Sequence, residues 1–191
     1  MEPSYGSPPT AGLEQEIAGL YEREAGGLLR YAGALAANRE TAHDALQEAF
    51  FRFFLCRSGG QMIRSPKSWL FRVVRNYVLD QKKARSQNEL GMESLRNVPC
   101  APGHPEAAGD VWDLLQRLPQ IGLSLREMEC VRLRIEDLGY EEIAGVLGLR
   151  PGTVGALLAR AHGKIRKAVG EGIHKEREFA HAVAGEQRCA S

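Results

Sequence analysis

Apolar positions between Leu138 and Arg166 fall into two short helical stripes. Tyr140, Ile143, Ala144 and Leu147 sit at i, i+3, i+4 and i+7, one face of a short helix. Glu141 and Glu142 stand in its first turn, where the helix dipole favours negative charge. Gly148 suits the left-handed backbone that ends such a helix. Pro151 suits the first position of the next one, since its missing N–H would be unpaired there anyway. Val154, Leu158, Ala161 and Ile165 form the second stripe. Two short helices, a Gly-bearing turn and a basic C-terminal end fit two structures: a helical hairpin in a core, or a helix-turn-helix that meets DNA.

The same periodicity runs upstream. Ile17, Leu20, Tyr21, Glu24 and Leu28 suit a first helix, and Leu28 to Ala37 a second helix or its continuation, with Gly26-Gly27 at the joint. Asn38 to Thr41 reads as a turn. Thr41 is placed as N-cap, with Asp44 three residues on in the capping-box position. A helix from Ala42 to Leu55 follows, with Ala45, Leu46, Ala49, Phe50 and Phe53 on one face. After a loop at Arg57 to Gly60, Ser65-Pro66 opens a long helix reaching about Arg85. Its buried stripe is Leu70, Val73, Val74, Tyr77 and Val78. Left off it are Trp69, Arg72, Arg75, Asn76, Asp80, Lys82 and Lys83.

Periodicity then breaks. Pro99, Pro102, Pro105, Gly91, Gly103 and Gly109 mark residues 86–110 as a flexible linker. Val111, Leu114, Leu115 and Leu118 make a short helix ending at Pro119. Ser124 with Glu127 forms a capping box before a helix that turns Met128, Val131 and Ile135 inward. The expected fold is all-α: two small helical domains, residues 13–85 and 111–170, joined by the linker. The second is a four-helix unit completed by the helix-turn-helix. Residues 1–12 read as a disordered tail, and residues 171–191 as a tail that extends the last helix before fraying.

Charge changes this picture only when taken by element. The formal net charge of the 191 residues is +1, which gives no global attraction to nucleic acid. Yet Arg64 to Arg85 holds seven bases (Arg64, Lys67, Arg72, Arg75, Lys82, Lys83, Arg85) against Asp80 alone. Leu13 to Leu55 holds seven acids and four bases. The linker is acidic, which serves solubility or keeps nucleic acid away.

Cys56, Cys100, Cys130 and Cys189 form no Cys-x-x-Cys pair and have no His at metal spacing, so they read as reduced thiols in a cytoplasmic protein. No apolar run reaches membrane-spanning length, and the first residues do not form a signal peptide. No nucleophile, metal set or phosphate cradle is visible. The expectation is a non-enzyme without metal or cofactor.

Three stretches, in order, carry a family resemblance. Asp44-Ala-Leu-Gln-Glu-Ala-Phe-Phe-Arg-Phe-Phe54 resembles the polymerase-binding helix of bacterial extracytoplasmic-function (ECF) sigma factors. Ser65 to Asp80, with the basic end beyond it, resembles their helix for melting and reading the −10 promoter element. Leu115 to Pro119 and Ser124 to Arg166 resemble their −35 domain. The resemblance covers Leu13 to Val169. It implies core RNA polymerase and promoter DNA as partners, and an anti-sigma factor as a further one.

It also assigns roles. Asp44, Gln47, Glu48 and Phe51 would bind polymerase, and Trp69, Arg72, Arg75, Asn76, Lys82 and Lys83 the −10 element. Arg150, Thr153, Ala156, Arg160 and Lys164 would meet the −35 element. The family captures an unstacked base with the loop before the −10 helix, here Arg57 to Arg64, where no single residue stands out. Trp69 serves equally as a stacking platform or a core residue. Asn76 serves equally for a base edge or for Asp80 one turn on.

The sequence departs from the family at the recognition helix. Gly155, Ala156, Leu157 and Ala159 stand where basic and polar residues are usual, and Arg150 replaces a typical Ser. Few of the remaining side chains reach base edges, so phosphate contacts dominate this reading. Two competing readings follow. One is a free-standing helix-turn-helix regulator. The other is a sigma-shaped protein that binds polymerase or another regulator without reading a −35 element.

Overall fold

The computed structural model describes residues 10–88 and 121–186, with side chains over 12–86 and 121–169. These residues form six α-helices and, among the described residues, no strand. The helices are α1 (Thr10–Leu35), α2 (Arg39–Ser58), α3 (Pro66–Asn88), α4 (Leu125–Ile135), α5 (Tyr140–Leu147) and α6 (Pro151–Glu186). The expected helix from Val111 to Leu118 and nearly all of the expected linker lie outside the described residues. By packing, α1, α2, α3 and α5 belong to one unit, and α4 and α6 to a second.

Helix α1 runs unbroken through Gly26-Gly27. Each Gly costs a helix interior about 1 kcal/mol relative to Ala. The neighbouring core outweighs this: Leu28, Tyr31 and Ala32 are buried to 2% exposure or less, and burying one large apolar side chain is worth roughly 1.5–3 kcal/mol.

Helix α2 starts three residues earlier than its pattern predicts. Asn38, not Thr41, is the N-cap: its backbone is extended, and its Oδ1 accepts the Thr41 N–H at 2.8 Å. Thr41 is buried inside the helix, and its Oγ1 accepts from the Arg85 guanidinium at 3.0 Å. The reason is the apolar face. Thr41 and Ala42 are buried on the same side as Ala45, Leu46 and Ala49, so the helix must already be formed at Thr41.

Three aromatic contacts knit this unit. Tyr31 meets Phe71 edge-on at 5.4 Å between ring centroids, Phe53 meets Trp69 at 5.8 Å, and Tyr21 meets Phe50 at 5.0 Å. Small Ala32, Ala45 and Ala49 let the backbones approach. Helix α5 buries Ile143, Ala144, Val146 and Leu147. The Glu142 carboxylate accepts the Gly139 N–H at 2.9 Å, and Gly148 ends the helix with φ 67°, as its place in the sequence predicts.

In the second unit the expected capping box is present. Ser124 Oγ accepts the Glu127 N–H at 3.3 Å, and Glu127 Oε2 accepts the Ser124 N–H at 2.8 Å. Leu123, Met128, Val131 and Ala161 form the core, with Ile121, Ile135, Leu158 and Ile165 against it.

Glu127 does more than cap. Its side chain is 4% exposed, and Lys164 Nζ donates to its Oε2 at 2.8 Å. The same ammonium donates to the Gly122 carbonyl at 3.1 Å, and Arg160 Nε lies 3.8 Å from Glu127 Oε1. The Lys164 hydrogen bond, then that of the Ser124 N–H, holds the Glu127 carboxyl down at about 2, against an ordinary 4.5. One carboxylate thus joins α4 to α6.

Folding therefore favours the ionised form of Glu127. Its contribution is full above about pH 4.5 and is lost as pH falls toward 2. Thermal melting followed by circular dichroism from pH 7 to pH 2 tests this. Glu127→Gln is expected to melt earlier than the wild type at pH 7, with the gap narrowing between about pH 4.5 and 2. A gap that stays constant with pH contradicts the assignment.

Candidate polymerase and nucleic-acid interfaces

Burying Ala45, Leu46, Ala49 and Phe53 leaves the opposite side of α2 to solvent. There Asp44, Gln47, Glu48 and Phe51 come together, and with Tyr77 of α3 they line a recess of about 450 Å³. Phe51 is 58% exposed, a large apolar group held in water beside carboxylates. Glu48 is not free, since its Oε1 accepts from Arg52 Nε at 2.6 Å. Tyr77 belongs partly to the core stripe, as its spacing predicts, and partly to this recess. Its second role is invisible in α3 taken alone.

A second groove lies between α1 and α2. Ile17, Ala18, Tyr21, Phe50 and Phe54 line it, with Glu14 and Glu22, around about 490 Å³. Tyr21, assigned to the helix face from its spacing, remains half-exposed.

On α3, Trp69, Arg72, Asn76 and Lys83 follow one another at helical spacing along one side. Arg72, Asn76, Lys82 and Lys83 are exposed, and Arg75 is half-buried. Asp80 lies 3.9 Å from Lys83. Phe71 is fully buried and belongs to the core. Trp69 is half-buried: its ring meets Phe53 edge-on, and it also lines a recess of about 450 Å³ with Ser68, Arg72, the loop from Gln61 to Ser65, and Glu141, Glu142 and Gly145 of α5. Met62, in that loop, is 86% exposed. Sequence reasoning left the loop unresolved because nothing in its residue order distinguishes Met62. The distinction is geometric.

On α6, Thr153, Ala156 and Arg160 are exposed along one side, and Arg150 is exposed just before the helix. Val154, Leu157 and Ala161 are buried. Leu157 is therefore a core residue rather than a missing base contact. Lys164 is half-exposed and engaged with Glu127 and Gly122. This pairing spans 37 residues, beyond the reach of any local pattern.

Cys56 and Cys130 are free thiols, and burial pushes the Cys130 thiol up to about 11. Its thiolate is therefore scarce at neutral pH. Among the described residues, no three His, Cys, Asp or Glu groups gather to hold a metal, and no single helix is long and apolar enough to cross a membrane.

Two family models match the chain, and the second groups α5 with α4 and α6, whereas by packing α5 belongs with α1 to α3. The Sigma-70 region 2 family model matches residues 20–88, and the Sigma-70 region 4 model matches residues 109–165. The ECF RNA polymerase sigma factor SigL of Mycobacterium tuberculosis is 30% identical over 156 residues, covering 80% of this chain and 88% of SigL. SigE of Mycolicibacterium smegmatis is also 30% identical over 156 residues, covering 77% of this chain, which spans 59% of SigE.

Two solved structures share the fold. The sigma factor RpoE of Bartonella quintana, in complex with the anti-sigma factor NepR, aligns with TM-score 0.66 at 23% identity, over 83% of this chain and 97% of that one. CnrH in complex with the cytosolic domain of CnrY aligns with TM-score 0.52 at 20% identity, over 83% of this chain and 90% of CnrH. The chain belongs to the extracytoplasmic-function family of RNA polymerase sigma factors, the subunits that direct transcription initiation to specific promoters.

Proposed function

We propose that this sigma factor docks on core RNA polymerase through the outer face of α2, opens the −10 element with α3 and the loop before it, and meets the −35 element with α6. The observation that carries the reading is the recess beside α3, where Trp69, Arg72 and the loop converge, Met62 is exposed, and Glu141, Glu142 and Gly145 of α5 form the remaining wall. Promoter opening requires cations to hold separated backbones and flat or apolar groups to replace base stacking. Arg72, Arg75, Lys82 and Lys83 supply the first. Trp69 and Met62 supply the second, and Asn76 offers an amide to a base edge.

Asp44, Glu48 and Phe51 suit a partner with a basic rim and an apolar pocket, with Gln47 hydrogen-bonding between them. On α6, Arg150 and Arg160 grip phosphates, while Thr153 and Ala156 touch thymine methyl groups. Lys164 ties this helix to α4 through Glu127 and reaches phosphate only where Glu127 releases it. An anti-sigma protein that silences the chain would cover Asp44–Phe54 on α2 or the exposed side of α6. The chain is regulatory and catalyses no reaction of its own. It works in the cytoplasm, where polymerase and chromosome meet.

Run-off transcription with core polymerase and fragmented genomic DNA tests the whole reading. New initiation sites are expected only when the chain is added. Polymerase binding with no new sites would instead favour a sigma-shaped interaction protein.

Asp44→Lys with Glu48→Lys is expected to weaken core-polymerase binding by about tenfold or more in a pull-down at moderate salt. Unchanged affinity removes the docking face from α2. Arg160→Ala is expected to lower promoter affinity about equally across sequences and to flatten the salt slope by roughly one unit. A sequence-selective loss would mean that Arg160 reads bases.

A further inference from the structure

The loop from Gly59 to Ser65 has few supports of its own. Gly59, Gly60 and Gln61 N–H groups donate to the Leu55, Arg57 and Cys56 carbonyls, each at 3.0 Å, and Gly60 has φ 79°. Beyond this point Ile63 is half-buried while Arg64 and Ser65 face outward, and Met62 is almost wholly in solvent.

At its far end the Ser65 carbonyl accepts the Trp69 N–H at 3.0 Å and the Ser68 hydroxyl at 3.3 Å, both from α3. Further supports come from α1. Arg57 Nε donates to Glu16 Oε1 at 3.2 Å, and Nη2 donates to Glu16 Oε2 at 2.9 Å. The remaining Nη1 donates to the Gln61 carbonyl at 3.1 Å. One guanidinium therefore ties α1, the end of α2 and the loop together. At the far end of the loop, Lys67 Nζ in the first turn of α3 lies 3.5 Å from Glu24 Oε2. Glu16 and Glu24 are about two turns apart on α1. One helix thus supplies an acid to each end of the loop.

We propose that Glu16 and Arg57 are positioning residues for promoter opening: α1, which makes no DNA contact in the reading above, presets the loop that receives the unstacked base. The proposal rests on that reading of the loop. The side chains of Arg57 and Glu16 are 28% and 38% exposed, so the pair adds little to global stability. Its effect is local. A bidentate fork fixes orientation as well as distance. A loop already in its receptive conformation binds more tightly, because the competent fraction divides the intrinsic dissociation constant. A lysine at this position has no fork, so it cannot hold Glu16 in this bidentate geometry while bonding Gln61.

The test uses the full chain with core polymerase, on a promoter mapped by run-off transcription and carrying 2-aminopurine in the −10 non-template strand. Closed-complex affinity, opening rate and the melting temperature of the free protein are measured separately. Arg57→Ala and Glu16→Ala are each expected to slow opening roughly three- to fivefold. Closed-complex affinity and melting temperature stay at wild-type values, and the double variant is no slower than Arg57→Ala, the mark of one shared device. Met62→Ala is run beside them.

Slow opening by Met62→Ala with wild-type opening by Arg57→Ala overturns the clamp and keeps the loop as reader. Wild-type opening by both overturns the loop reading, and the clamp with it. Additive effects of Arg57→Ala and Glu16→Ala, or a fall in melting temperature that accounts for the slowing, also overturn the proposal.

Discussion

The complete burial of Phe53 and Phe71 governs the rest of the first unit. A helix advances 100° per residue, so fixing one side chain inward fixes the direction of its neighbours. With Phe53 inside, Phe51 stands about 200° away and must face water. With Leu70, Phe71, Val74 and Val78 inside, Arg72 and Asn76 have no place except outside, and Trp69 falls at the boundary. The two candidate faces of this unit are the remainder left by one packing decision. Their residues need no further force to display them. Phe51 in particular is exposed against its own hydrophobic preference, because the core has taken Phe50 and Phe53 instead.

Much of this was legible in the residue order. The stripe of α3, the capping box at Ser124, the acidic first turn of α5 and its stop at Gly148 each depend on neighbours within one or two turns, and the structure has them where spacing predicts. Two features escaped because two signals competed. Asn38 and Thr41 are both capping types, and only the burial of Thr41 decides between them. Gly26-Gly27 resembles a helix break until Leu28 and Tyr31 are seen to be buried.

The candidate site divides in the same way. That Asp44, Gln47, Glu48 and Phe51 share one outer face follows from α2 alone. The Glu127–Lys164 and Glu16–Arg57 pairs do not, because 37 and 41 residues separate their members. No periodicity reports a contact across that distance. Helix α6 shows a related error of reading. Leu157 looked like a lost polar contact, yet with Val154 and Ala161 it is one of the residues that hold α6 in place. The true departures are smaller, resting on Gly155, Ala156 and Ala159.

The 2.6 Å pair between Glu48 and Arg52 bears on how docking on α2 would be felt. A free carboxylate adds an interaction when a cation arrives. A carboxylate already held by a guanidinium one turn away can only trade partners. In that trade one ion pair forms and another opens, and the released Arg52 returns to water. The net electrostatic gain at Glu48 is then small, and more of the adhesion falls to Asp44, Phe51 and their surroundings. Docking on such a face would then depend more on the surface it buries than on the charge it carries, and would respond weakly to salt at Glu48.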